Sequence, residues 1–281
     1  MKKLLALGIS LALASTSLAA MKETNGHWVH ETPTKGQASH FARPSNNQIS
    51  YHGGDILNAA HVVPIYWGAY WGSGTGATER STMNGFYSQF GINSHYGVIT
   101  QYYDTTTGST RYIGLSNLYS SDWYDSTNPP TNVTDSAVQG EVNKYLAAPG
   151  HTFDNEAIYE VFIPPGTYSS DGTSTSCGGP HLAYCAYHGA YTSGGHTIKY
   201  SIEPYPSCSG CHASGFSTLQ DAQHFACHET REAVTDPVNA WWNGHSGYEA
   251  DDQCAWSPAP FSDGGYGYQY EWSNKNNACV K

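Results

Sequence analysis

Charge is scarce in this 281-residue chain: charged residues make up only 12%, with 12 Lys and Arg against 23 Asp and Glu. That is about half the usual share for a soluble domain. It excludes a nucleic-acid binder, a coiled coil and a polybasic membrane-surface protein. Large aliphatic side chains are scarce as well. From residue 21 onward, Leu, Ile, Val and Phe total 35, about 13% of the residues, which by itself is the composition of a disordered chain. No stretch reaches the 18 apolar residues of a bilayer span. No fixed-period repeat is present. There is no phosphate-cradling or dinucleotide glycine pattern after a strand, and Gly244-His245-Ser246-Gly247-Tyr248 lacks the final glycine of a serine-hydrolase elbow.

What is present is aromatic: 22 Tyr and 8 Trp. These side chains bury large apolar area while keeping one polar atom to satisfy, and they restore the globular reading. Residues 1–20 carry Lys2 and Lys3, an apolar run from Leu4 to Ala14, and Ser17-Leu18-Ala19-Ala20, the three regions of a secretory signal. The expected address is therefore secreted or periplasmic, with a mature net charge of −13. All seven cysteines lie between Cys177 and Cys279, so disulfides are expected in the C-terminal third. The odd count leaves one thiol over. The expected pairs are Cys177 with Cys185, Cys208 with Cys211, and Cys254 with Cys279, with Cys227 free.

Residues 21–55 are polar and lack a sustained period, which predicts an extended N-terminal segment or pro-segment. Residues 56–281 read as a single α/β domain with a mixed central sheet and flanking helices. His61 to Gly68 predicts a strand whose Pro64 marks an edge or a bulge. Thr78 to Phe90 and Val133 to Ala148 predict helices, while Tyr96 to Tyr103, Ile158 to Ile163 and Tyr191 to Ile202 predict strands.

The most informative helix starts at Ser217, which with Gln220 forms a capping box, and is stopped by Pro237. It contains His228-Glu229-Thr230-Arg231-Glu232. Residues four apart share a helical face, so His228 and Glu232 reach one cation, and Glu229 projects beside them as a general base. This is the metallopeptidase HExxH helix with a carboxylate in place of the second histidine. His224, His228 and Glu232 span roughly 12 Å and cannot all share one ion. A His224/His228 pair is an alternative, but only His228 with Glu232 leaves a glutamate next to the first ligand. An exposed, solvated helix face is the plain competing reading. Catalytic zinc needs a third ligand, and Glu249 or Asp252 supplies it: Glu249 as ligand with Asp252 behind it, or the two roles exchanged. His188 is a candidate donor to a developing oxyanion.

These residues resemble a known family, the phosphate-induced, Exordium-like secreted proteins. The resemblance rests on Ala226-Cys227-His228-Glu229, Glu232-Ala233, Thr235-Asp236-Pro237, Asn239-Ala240-Trp241, Glu249 and Asp252-Gln253-Cys254, with weaker echoes at Val63 to Gly68 and Cys185 to His188. It departs from the family at Cys227, where a small apolar residue or serine is expected, and at His224. It implies a zincin-like HExxE helix and a zinc cofactor. Cys208-Ser209-Gly210-Cys211-His212 also matches the attachment pattern of a c-type haem, although five other cysteines point to disulfides.

The chain thus reads as an exported zinc-dependent hydrolase, a metallopeptidase with a peptide or protein substrate. Its rival is a non-catalytic secreted protein that binds cell-wall glycan through Tyr and Trp.

Overall fold

Along His196–Pro204, Ile198, Tyr200 and Ile202 point one way, and Lys199, Ser201 and Glu203 point the other. Every one of these residues is buried. Such alternation makes a strand with two different faces, and it recurs across the sheet to which this strand belongs. The computed structural model describes residues 21–24, 26–38 and 48–281. The expected secretory segment lies outside the described residues.

The sheet has seven strands: β1 (Met21–Thr24), β2 (His27–Pro33), β3 (His61–Trp67), β4 (Trp123–Asp125), β5 (Ala157–Ile163), β6 (Tyr184–Ser193) and β7 (His196–Pro204). Their spatial order is β1-β2-β6-β7-β5-β3-β4. The first four in that order pair antiparallel, and from β7 onward the pairing is parallel. Three long helices cover it: α1 (Gly74–Phe90), α2 (Asp135–Ala147) and α3 (Thr218–Thr235). Helix α2 lies on one face, where Val138, Val142 and Tyr145 meet Val161, Tyr159, Ile163 and Ile198. Helices α1 and α3 lie on the other, where Met83, Phe86, Tyr87, Ala226 and Ala233 join Val62, Tyr66, Ile158 and Phe162. The result is the mixed α/β architecture that the sequence predicts.

The predicted strand at Tyr96 to Tyr103 is instead a helical turn, Ser94–Gly97, followed by a 3-10 turn, Val98–Gln101. The Asn93 side chain accepts from the amides of His95 and Tyr96 and so starts a helix where aromatic content favoured a strand. Pro64 is on neither an edge nor a bulge. Strand β3 lies between β5 and β4, and Pro64 falls in the gap between the Val62–Tyr119 bridge and the ladder that resumes at Ile65 and Trp123, so its missing N–H breaks no bond there. The predicted strand Tyr191 to Ile202 is the inner part of the β6–β7 hairpin. Gly194 and Gly195, with φ of 58° and 80°, form its two-residue turn.

Three disulfides hold the C-terminal third: Cys177–Cys208, Cys185–Cys211 and Cys254–Cys279. Only the last has the expected partners. Cys208 and Cys211 flank one 3-10 turn, and each reaches back to a different segment, Cys185 being on β6. Because both are oxidised, neither thiol is available to attach haem. Cys227 is the free, buried cysteine. Bonds of this kind belong to an oxidising compartment. Among the described residues no helix is long and apolar enough to cross a membrane.

Candidate metal centre

Helix α3 begins as its sequence dictates. Ser217 Oγ accepts from the Gln220 amide at 3.2 Å, and Gln220 Oε1 accepts from the Ser217 amide at 2.9 Å. Further along, Asp221 accepts from the Ala213 amide at 2.9 Å and meets His212 Nδ1 at 2.7 Å. These contacts fix the phase of the helix. From Gln223 to Thr235 the helix is buried throughout, so the HExxE residues are no solvated face. Gly267 allows the covering strand to come close, since a Cβ there would stand 2.1 Å from the Gln220 carbonyl oxygen.

Buried ionisable groups must find partners or a counter-ion. Arg231 finds its own: Nε lies 3.0 Å from Asp251 and 2.8 Å from Glu271, and its remaining nitrogens bond Asp251 and the carbonyls of His95 and Gln269. That leaves Glu229, Glu232, Glu249 and Asp252, with the buried Glu160, Glu203 and Asp236 beside them, set against His30, His188 and His228.

His228 Nε2 stands 2.9 Å from Glu232 Oε2 and 3.7 Å from Asp252 Oδ1. The other atom of each group is engaged. The Gln269 amide nitrogen donates to the Asp251 carbonyl at 2.8 Å and to Oδ1 at 3.0 Å, which assigns its Oε1 as the acceptor for His228 Nδ1–H at 3.3 Å. Nε2 of His228 is thereby the bare nitrogen, and it has no hydrogen-bond partner. Glu232 Oε1 accepts from the Asp252 amide at 2.9 Å, and Asp252 Oδ2 accepts from the Glu249 amide at 3.2 Å. Three free ligand atoms, from His228, Glu232 and Asp252, lie within 4.8 Å of one another. That separation suits three ligands around a zinc-sized ion. His224 Nε2 also meets Gln269 Oε1, at 3.2 Å, so His224 supports the same glutamine.

Glu229 faces the sheet. Thr32 donates its hydroxyl to Oε1, and His188 Nδ1 lies 2.9 Å from Oε2. Glu249 is placed apart from His228, with Oε2 at 2.7 Å from His30 Nδ1 and 3.4 Å from His188 Nε2. Sheet register explains the gathering. His30, His188, Ser201, Glu160 and Pro64 are successive partners across β2, β6, β7, β5 and β3, so one row of the sheet presents its polar side chains to α3. Glu160 in that row accepts from Thr230 of α3 at 2.7 Å.

The charges do not balance without help. Burial, then the neighbouring Asp252 and Glu249, push the Glu232 carboxyl well above its usual range. Burial and Glu249 raise Asp252 to about 7 against the pull of His228. Burial opposes ionisation of Glu249 too, but His30 and His188 outweigh it and hold that carboxyl well below its usual value. His188 is raised well above an ordinary histidine because Glu249 and Glu229 overcome its desolvation. His224 goes the other way, down to about 3, through burial and the nearby His228. A divalent cation would neutralise these carboxylates as protonation does.

A cleft of about 450 Å³ reaches this cluster. Its lining includes His30, His188 and Asp236 together with Trp28, Val238 and Trp242. No protein-family model matches the chain, and neither a curated protein nor a solved structure matches it.

All six residues singled out by the sequence thus belong to one buried cluster. Asp252 faces His228 and Glu232, while Glu249 faces the two histidines of the sheet. The sequence reading missed His30 and Thr32. Their signal was the alternation Val29-His30-Glu31-Thr32, in which Val29 turns to the apolar core while His30 and Thr32 turn to α3.

Proposed function

We propose that the protein is an exported, zinc-dependent hydrolase acting on peptide bonds, and that it belongs with the Exordium-like secreted proteins its α3 segment resembles. The observation that carries this reading is the bare, buried His228 Nε2, aimed between Glu232 Oε2 and Asp252 Oδ1 and without a hydrogen-bond partner. His228, Glu232 and Asp252 would hold a zinc ion, which when bound would supply Lewis acidity for the hydrolysis. Everything else falls to the chain. Glu232 and Asp252 hold the charge, each oriented by a backbone amide. Gln269 keeps the proton of His228 on Nδ1. Glu229, one of whose carboxylate oxygens lies within 4.8 Å of a Glu232 oxygen, would take the water proton and return it to the leaving amine. Thr32 and His188 fix the Glu229 carboxylate from two sides, which makes His188 a positioning residue and not the oxyanion donor expected from the sequence. Two carboxylates leave the ion less electrophilic than a two-histidine site does, so turnover is slow.

The test is zinc content and hydrolysis of a mixed peptide library by the full chain. Glu229→Gln keeps stoichiometric zinc and lowers hydrolysis by about 10²–10⁴-fold. Full activity in that variant, or wild-type protein that binds no divalent metal, overturns the reading. A second reading, glycan binding, rests on Trp28, 55% exposed, and Trp242 at the cleft wall. A cell-wall glycan pull-down that is unchanged in Glu229→Gln favours it.

A further inference from the structure

His30 and His188 sit directly opposite each other on β2 and β6, their rings stacked with centroids 5.0 Å apart and planes 19° apart. Both reach towards the same atom, Glu249 Oε2, at 2.7 and 3.4 Å. These are ion-pair contacts, in which the two rings hold the Glu249 carboxylate ionised, and none of them is well aligned as a hydrogen bond. His30 Nδ1, His188 Nε2 and both Glu249 oxygens are buried without any hydrogen-bond partner, and Glu249 itself is 0% exposed. A buried carboxylate and two ring nitrogens that converge within 4.8 Å of one another, with no well-aligned hydrogen bond among them, form a donor set that a cation would complete. His188 Nδ1 is already committed to Glu229 Oε2 at 2.9 Å, the carboxylate–histidine pairing that leaves Nε2 as a metal-binding nitrogen.

We propose that His30, His188 and Glu249 form a second divalent-cation site, separate from the one formed by His228, Glu232 and Asp252. The two share no ligand. They are joined by the Glu249 amide, which donates to Asp252 Oδ2 at 3.2 Å, and by His188 Nδ1, 3.9 Å from Glu232 Oε2. Two imidazole nitrogens and one carboxylate suit zinc, with room for an outside ligand. That outside ligand comes from the cleft, because His30 and His188 line it and the three residues of the other site do not. A cation held here would be the one nearer the cleft, placed to bind a carboxylate oxygen of an incoming substrate ahead of the deeper ion. The arrangement has the logic of paired-metal hydrolases, in which the two ions divide the charge that develops in the reaction. The site rests on its own residues, so it stands or falls separately from the first centre.

The experiment is zinc stoichiometry of the full chain after equilibration with excess zinc sulfate and removal of free metal, read by elemental analysis. Circular dichroism and the melting temperature verify that each variant is folded. Wild type is expected to retain two zinc ions per chain. His30→Ala retains one, the near-isosteric Glu249→Gln also retains one, and His228→Ala retains one. A wild type with a single ion that survives in His30→Ala and Glu249→Gln but is lost in His228→Ala overturns the second site and leaves the first intact. A single ion lost in His30→Ala but kept in His228→Ala supports the cleft site and overturns the first. A wild type with no ion overturns both.

Discussion

The two faces of one sheet are made from opposite materials. Under α2, the side chains of Val29, Val161, Tyr187, Tyr200 and Ile202 are apolar or aromatic. Their few polar atoms are satisfied within the layer, as when Tyr187 and Tyr200 donate their hydroxyls to Asp135. Under α3, the same strands present His30, Thr32, His188, Ser201, Glu203 and Glu160, all but His30 less than 5% exposed. The backbone ladder is common to both, so the difference lies in which residues fall on odd and even positions. One face gains stability from burial, while the other gives it up by burying charge. The scarcity of Leu, Ile and Val follows from this arrangement. Part of the α3 face, from β2 to β5, is given to polar and ionisable groups, and tyrosine fills much of the remaining interior.

The comparison makes predictions with opposite signatures on the two faces. The largest effect is on the apolar side. Ile202→Ala removes a fully buried side chain and costs about 2–5 kcal/mol in denaturant unfolding, with zinc stoichiometry unchanged. Loss of zinc from a folded Ile202→Ala protein would break the division between the faces. Next comes Gln269→Leu. It removes the acceptor that fixes His228 and weakens zinc binding by about 10–100-fold in a competition titration with a chelator. Unchanged affinity would mean that the Gln269 contact does not set the His228 ring.

The smallest effect is a pH dependence, from Glu141, a buried carboxyl among the apolar residues of α2. Burial, followed by the charge of Asp125 and opposed by Lys144, raises Glu141 to about 7 from an ordinary 4.5. A carboxyl whose folded pKa is raised contributes fully below about 4.5 and loses that contribution as pH climbs through 7. Glu141→Gln cannot ionise. Its unfolding free energy relative to wild type therefore rises between pH 4.5 and 7 and then levels off, by an amount on the order of 1–2 kcal/mol, read from melting temperatures across that range. A difference that is flat across that range would contradict the assignment.

The legible parts of the molecule were local. The Ser217–Gln220 box, the helix it starts and the four-residue spacing of His228 and Glu232 all follow from contacts within one turn or two. The acids at Glu249 and Asp252 were legible as a pair, but their division of labour was not, because it depends on which strand lies beneath each of them. His30 and Thr32 were illegible for the same reason: they reach the site through pairing of β2 with β6, where their partners are His188 and Ala186, more than 150 residues further along the chain. Disulfide partners are likewise a property of the assembled sheet, and the close spacing of Cys208 and Cys211 misled. At Asn93 a capping side chain outweighed the strand preference of the aromatic residues that follow.

The central claim is that the polar face exists to hold a cation on α3. An anomalous difference map from a crystal of the full chain, measured at the zinc absorption edge, tests it most directly. The account predicts a peak bonded to His228 Nε2, Glu232 Oε2 and Asp252 Oδ1 at about 2.0–2.2 Å. A map with no peak between these three atoms, in protein grown with zinc present, would contradict it.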